Sequence, residues 1–349
     1  MGLEDMAYEH RFDFKVGNEA GLSGVVQLED VERSALAFRT GALKLADGKE
    51  LPLCLTHSEA TERFMYLGEA DGRSGLNGIL DTLGCSNSFA RNGLIPGQFI
   101  LGAARTRLVM AGVRDCMRSP SFGAVFSDYG DGEIVALPIL REGMKYGLGE
   151  AVLEVGGRLC DEIVVDAHHV SDALVPGLGR RMELTVFKDR DLSEAERDAV
   201  KVAVLGDSVA SGTVIVGLVE ELARRFPNLE RIELVAPLAA VYGLARIAAF
   251  SRSGAMVRIH CFETLINALP PDYYYSPHFN EAEMHICPDA QRAYREWWGQ
   301  DRSGDWIADT ACSGYGWSEA FFNPGKQLRM IEEELLRRHG LTLKAFLDR

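Results

Sequence analysis

The sequence predicts an α/β fold: a parallel-sheet, Rossmann-like core, with an added N-terminal region before it and a C-terminal extension after it. Three observations lead there. Val202-Ala-Val-Leu205 and Ile134–Leu140 are unbroken apolar runs of strand length, the pattern of parallel strands covered on both faces. Each run passes through a glycine-containing turn into a helical pattern, Thr213 to about Arg225 in one case and near Met144 to Val155 in the other. Strands then alternate with helices over the whole stretch from 130 to 262, as a parallel sheet with crossover helices requires.

The elements follow in order. Residues 1–100 form an N-terminal α+β region of unknown role, with short apolar runs at Leu22–Leu28 and Leu51–Leu55 and with Gly72, Gly75, Gly78 and Gly84 among polar residues. The core spans 101–265 and begins with an arginine-rich helical pattern around Ile100 to Met117. Its strands are Ile134–Leu140, Glu183–Lys188, the run at Val202 and Arg231–Ala240, the last leading to a helix start at Tyr242-Gly243-Leu244. After Cys261 the alternation breaks. Residues 266–349 carry the irregular loop Pro270–Pro277, an aromatic-rich stretch with Trp297, Trp298, Trp306 and Trp317, and an amphipathic helix Gln327–Arg338 closed by Gly340.

Composition limits the function classes. The 349 residues suffice for one large or two ordinary domains, and 47% hydrophobic with 25% charged residues is ordinary for a soluble globular chain. No apolar stretch reaches membrane-spanning length, and the polar, acidic amino terminus has no signal-peptide pattern, so a cytoplasmic protein without membrane contact is expected. A net charge of −14 argues against a nucleic-acid surface. The seven cysteines are scattered, no two at Cys-x-x-Cys spacing, which suits reduced thiols. His285 and Cys287 stand close together, but one pair is not a zinc site.

The chemistry concentrates in the loop after Leu205: Gly206-Asp207-Ser208-Val209-Ala210-Ser211-Gly212-Thr213. A loop between the carboxyl end of a strand and the amino end of a helix offers free N–H groups and a helix dipole to phosphate. Gly212 lets backbone approach an anion, Ser211 and Thr213 add hydroxyl donors, and a carboxylate at Asp207 can hold a sugar hydroxyl or a hydrated cation. Asp207 could equally be a helix cap. The other strand ends in Arg141-Glu142-Gly143, an arginine for an anion and a glycine that lets backbone amides turn toward it. Arg141 could instead form a surface ion pair, and Lys188 could be merely solvated.

These segments resemble type I phosphoribosyltransferases. The loop is similar to their signature of an apolar strand, two acidic residues, two apolar residues and a small Thr-Gly-type phosphate loop. Asp207 takes the second acidic position and Ser211-Gly212-Thr213 the phosphate loop, while Gly206 stands where the first acidic residue usually does. Pro138-Ile-Leu-Arg-Glu-Gly143 is similar to the pyrophosphate loop of uracil phosphoribosyltransferases, and the order of motifs over roughly 130–262 matches that type. The resemblance implies 5-phosphoribosyl 1-pyrophosphate (PRPP), a nucleobase-like or other heterocyclic acceptor, release of pyrophosphate, and Mg²⁺ as cofactor, held through water at Asp207. It implies that Arg141, Glu142 and Gly143 receive pyrophosphate. Asp207 would orient the ribose, and Ser208, Val209, Ala210, Ser211, Gly212 and Thr213 would line the 5′-phosphate. Lys188 and a loop carrying Arg180 and Arg181 would close over the site. Phe262, Glu263 and Tyr274, near or after Cys261, are candidates for reading the acceptor, although aromatics there could equally pack a core or a homodimer interface. Val175-Pro-Gly-Leu-Gly179 resembles part of the uracil-binding segment but precedes the signature loop instead of following it, so uracil itself is not expected.

Two rival readings remain. A regulatory protein of the same fold could bind PRPP or a nucleotide without catalysis, and the loss of an acid at Gly206 is compatible with that. Gly206-Asp207-Ser208 also resembles the nucleophile block of SGNH-type esterases, with Ser208 attacking. That chemistry needs a histidine downstream in an Asp-x-x-His, and the one matching spacing, Asp166-Ala-His-His169, lies upstream.

Overall fold

The computed structural model describes residues 8–14, 21–29, 31, 34–67, 95–96, 102–140, 142–171, 180–187, 192–209, 211–251, 254–263 and 265, with a few positions between 332 and 345. Four strands come first: β1 (Tyr8–Phe14), β2 (Leu22–Leu28), β3 (Leu36–Leu45) and β4 (Glu50–Ser58). Helix α1 (Glu59–Met65), the short strands β5 (Tyr66–Leu67) and β6 (Ile95–Pro96), and helices α2 (Gly102–Cys116) and α3 (Pro120–Asp128) lead to β7 (Ile134–Leu140). A 3₁₀ turn at Gly143–Lys145, α4 (Leu148–Glu154), β8 (Asp161–Glu162), β9 (Val164–Ser171), β10 (Arg180–Phe187) and α5 (Glu194–Ala199) follow. The described core closes with β11 (Val202–Gly206), α6 (Thr213–Arg225), β12 (Arg231–Ala236), α7 (Val241–Phe250) and β13 (Met256–Phe262).

One 11-stranded sheet runs in the order β1-β2-β3-β4-β13-β12-β11-β7-β9-β10, with β8 also beside β7, while β5 and β6 pair with each other in a separate two-stranded sheet. From β4 to β9 the pairing is parallel, while β1 to β4 and β9 to β10 pair antiparallel. This is the parallel α/β core expected from the sequence. Every residue of β11 is buried, as are all but the last of β7, which is why these strands read as continuous apolar runs. The N-terminal strands continue the same sheet, because Leu53 to Thr56 of β4 pair with Ile259 to Phe262 of β13.

Local chemistry accounts for the boundaries. Carbonyls of Ile134 and Ala136 accept from the N–H groups of Cys160 and Ile163, so Pro138 faces the same side. It falls between the residues paired with β8 and those paired with β9, where a missing donor breaks no ladder. Helix α6 buries Ile215, Leu218, Val219 and Leu222, one stripe at helical spacing, and ends on Arg224 and Arg225 at the negative end of its dipole. Ser119 caps α3 ahead of Pro120, and Ser193 with Glu196 forms a reciprocal capping box on α5. The helix expected near Met144 to Val155 is shorter and split. Gly147 adopts φ 60°, which separates the 3₁₀ turn from α4.

Among the described residues the core contains a charged network. Glu233 of β12 accepts from Arg231 (2.9 Å) and lies 2.8 Å from His260 Nε2 on β13, and neither the glutamate nor the histidine has any exposed surface. The Phe122 ring covers the imidazole at 4.3 Å between centroids. Breaking a buried ion pair by removing one partner costs ~3–5 kcal/mol, because the other charge stays desolvated. Urea denaturation of Glu233→Ala should show a loss of that order, whereas Glu194→Ala on the exposed face of α5 should stay within about 0.5 kcal/mol of the parent.

Candidate functional site

The loop after β11 is pinned to the continuation of β12. Asp207 donates its N–H to the Val235 carbonyl (3.2 Å), Val209 donates to Leu238 (2.9 Å), and Ala240 donates back to Val209 (2.8 Å). Val209 and Ala239 form an isolated parallel bridge, so the buried Val209 anchors the loop. Beyond it Gly212 turns the chain with φ 73° into α6, and a Cβ there would press on the carbonyl oxygen of Gly243. The buried Ser211 hydroxyl sits 3.1 Å from Thr213 Oγ1 at the first residue of the helix. The opening turn of α6 therefore presents backbone N–H groups beside two hydroxyls, the donor set an anion uses.

A second loop meets this one. Glu142 follows β7 and is buried, and its Oε1 accepts the Tyr146 hydroxyl at 2.7 Å and the Ser208 hydroxyl at 2.9 Å. Tyr146 Oη and Ser208 Oγ are themselves 3.3 Å apart, which closes a three-membered polar cluster across the two loops. Burial pushes the Tyr146 phenol well above its ordinary pKa, followed by the charges of Glu142 and Asp207, so it remains a donor. Close packing explains the two glycines at the junction. A Cβ on Gly143 would strike the Gly206 carbonyl oxygen, and one on Gly206 would come within 2.7 Å of Leu148 and 2.9 Å of Tyr146.

Asp207 is treated differently from Glu142. It accepts the Ser208 N–H at 2.9 Å, but burial first and the neighbouring Glu142 charge second push its carboxyl well above the usual carboxylate range. Two hydroxyls thus satisfy Glu142, while Asp207 is the acid that a cation or a sugar hydroxyl would relieve.

At the same edge of the sheet, His57 at the end of β4 faces Glu263 just after β13. Nδ1 lies 2.9 Å from Oε2 and 3.0 Å from Oε1, and Thr61 Oγ1 donates to Oε1 at 2.5 Å. Among the described residues no group of three or more His, Cys, Asp or Glu side chains converges as a metal cage. Glu142 lies close enough for its charge to raise the Asp207 carboxyl, and Mg²⁺ in general keeps much of its water and needs only one or two carboxylates beside substrate phosphates.

The structure brings together Glu142, Gly143, Asp207, Ser208, Val209, Ser211, Gly212 and Thr213. Arg141, Lys188, Ala210 and Tyr274 lie outside the described residues. Arg180 and Arg181, expected in a closing loop, are instead the first residues of β10, level with Ser171 and Val170 of β9. Arg181 continues the polar set of Glu183 and Thr185, whereas Arg180 falls in the set of Met182, Leu184 and Val186, and an edge strand tolerates such a cation. Phe262 offers no free ring face, because it is wholly buried edge-on against Phe64 at 5.5 Å. Sequence reasoning missed Tyr146 and His57. Tyr146 carried no signal beyond its spacing from Glu142, and His57 depends on a partner 206 residues away.

No protein-family model matches the chain, and no curated protein matches it. Among solved structures it is similar to a hypoxanthine phosphoribosyltransferase from Staphylococcus aureus, at 15% identity and a TM-score of 0.29, over 52% of this chain and 89% of that one. An adenine phosphoribosyltransferase matches at 12% identity and 0.27, over 43% and 78%. The adenine phosphoribosyltransferase from Saccharomyces cerevisiae matches at 13% identity and 0.28, again over 43% and 78%. No helix among the described residues is long and apolar enough to cross a membrane.

The raised Asp207 carboxyl makes a stability prediction. Between the unfolded value near pH 4 and the raised folded value, the native state holds the extra proton, so stability falls as pH rises through that window. Asp207→Asn removes the effect. Its melting temperature should exceed the parent's, with little difference below about pH 4 and a growing gain toward neutral pH, as scanning calorimetry across pH would record.

Proposed function

We propose that the chain is a phosphoribosyltransferase-type enzyme that joins the ribosyl group of PRPP to a nucleobase-like or other heterocyclic acceptor and releases pyrophosphate. The observation that carries this reading is the meeting of the two loops. The Asp207–Thr213 loop opens α6 with hydroxyls and backbone N–H groups, and the Glu142-Gly143 turn lies against it through the Ser208 contact. A phosphorylated sugar with a second, leaving phosphate fits such a pair of loops better than a simple phosphate does.

In this reading the α6 opening and the hydroxyls of Ser211 and Thr213 bind the 5′-phosphate, and Asp207 orients the ribose hydroxyls. Backbone at Glu142-Gly143, with Arg141, receives pyrophosphate. Tyr146 and Ser208 hold Glu142 in one orientation, so the second carboxylate is fixed before substrate arrives. When bound, Mg²⁺ at Asp207 and Glu142 would neutralise charge on the leaving pyrophosphate. Rate acceleration would come from positioning and from stabilising the departing anion while positive charge develops on the ribose. The esterase alternative finds less support, since the Ser208 hydroxyl donates to Glu142 and contacts Tyr146, with neither contact to a histidine.

Isothermal titration with PRPP and Mg²⁺ tests the reading. Saturable binding by the parent, weakened at least about tenfold in Asp207→Asn and Arg141→Ala as expected for a lost charge-assisted contact, would support it. Because Asp207→Asn should be the more stable protein, its loss of binding could not be assigned to unfolding. Absence of binding by the folded parent would overturn the reading.

A further inference from the structure

Helices α2 and α4 leave a groove of about 280 Å³ between them, and its two walls carry opposite charge. Arg107, Met110 and Arg114 line the α2 wall, while Glu150, Ala151 and Glu154 line the α4 wall. The walls advance together along the groove. A Cβ on Gly147, at the entry to α4, would lie 2.8 Å from the Met110 methyl, and further on Arg114 donates to Glu154 at 2.8 Å. Arg107 and Glu150 make no ion pair among the described residues.

Apolar exposure gathers at the same place. Met110 is 38% exposed, Leu153 on α4 61% and Met144 just before α4 41%, which makes three of the six large apolar side chains exposed among the described residues. Exposure collected on neighbouring elements marks a contact surface where scattered exposure would not. Methionine and arginine are also residue types enriched where proteins meet. The charges then select the occupant. An acidic partner would match the arginine wall and be repelled by the glutamates, and a basic one the reverse. A second copy satisfies both walls. With a twofold axis running along the groove, rotation exchanges left and right but keeps the height along the axis, so each α2 wall lies over the α4 wall of the other copy. Arg107 then faces Glu150 of the second copy. The two Arg114–Glu154 pairs close into a square of alternating charge.

We propose that the α2–α4 face joins two copies of this chain as an isologous dimer. Met110 of each copy enters the groove of the other, where the small residues Gly147 and Ala151 leave room, and each arginine wall faces a glutamate wall. Glu142, Tyr146 and Ser208 contact one another within one chain, so each copy keeps its own pair of loops. The inference is independent of the reaction those loops carry out.

Sedimentation velocity of the full chain over a concentration series tests this. The parent should sediment at twice the chain mass. Arg107→Glu and Glu150→Arg should each raise the dissociation constant at least about tenfold, since symmetry places every like-charge contact twice. The double variant Arg107→Glu with Glu150→Arg restores opposite charges across the interface and should return to within about threefold of the parent. That recovery also shows that neither change unfolds the chain. Arg224→Glu alters net charge equally at an exposed position on α6 and should leave the dimer unchanged. A parent that stays monomeric at its highest soluble concentration overturns the proposal. So does an assembly of any size that the single swaps leave intact, a loss that the double variant does not restore, or an equal loss in Arg224→Glu.

Discussion

β11 lies between β7 and β12 with Leu205 level with Leu137 on one side and Leu234 on the other, and this register decides which residues meet at the strand ends. All three leucines are buried, and each such side chain contributes roughly 1.5–3 kcal/mol when taken out of water. A slip of one residue would exchange the two faces of the strand and draw Asp207 toward the sheet interior. The apolar ladder thus fixes the height at which Gly206 ends and Asp207 begins. It also fixes the level of Pro138, two residues before Leu140 and the Glu142 turn. Side chains that never touch a ligand set the separation of those that would.

Above that ladder the electrostatics run against the expected ligand. The chain carries a net charge of −14, and the two acids nearest the phosphate loop are partly or wholly withdrawn from solvent. Long-range forces would repel an anionic sugar phosphate, although screening confines this to about 8 Å at physiological ionic strength. For such a ligand to bind, attraction would have to come from short-range groups, such as the N–H donors at the α6 opening and the hydroxyls of Ser211 and Thr213. Tyr146 and Ser208 matter here because hydroxyl donors hold Glu142 without cancelling its charge.

Much of this was legible in the sequence, and the reasons are local. β7, β11 and α6 announce themselves because each is buried by its immediate pattern, and Gly212 because only a glycine relaxes at φ 73° against the Gly243 carbonyl. The contact between Glu142 and Ser208 joins residues 66 positions apart, and nothing in either loop names the other. Arg180 and Arg181 follow glycines and a proline, which read as a loop, and only their pairing with Ser171 and Val170 of β9 makes them strand. Phe262 could read an acceptor or pack a core by its type alone, and its place edge-on against Phe64 shows the packing. Glu263, one residue on, is distinguished by a backbone angle that no composition reveals.

The glycine at 206 has a consequence for how this site could change. By resemblance an acidic residue belongs there, and its absence looks like a simple loss. The position is sealed, however, because any side chain would run into Tyr146 and Leu148. Tyr146 in turn is the residue that holds Glu142. A side chain added at 206 would have to displace the Tyr146 ring and with it the hydroxyl that Glu142 accepts, so a change at this one position would be felt at 142 and 146 as well.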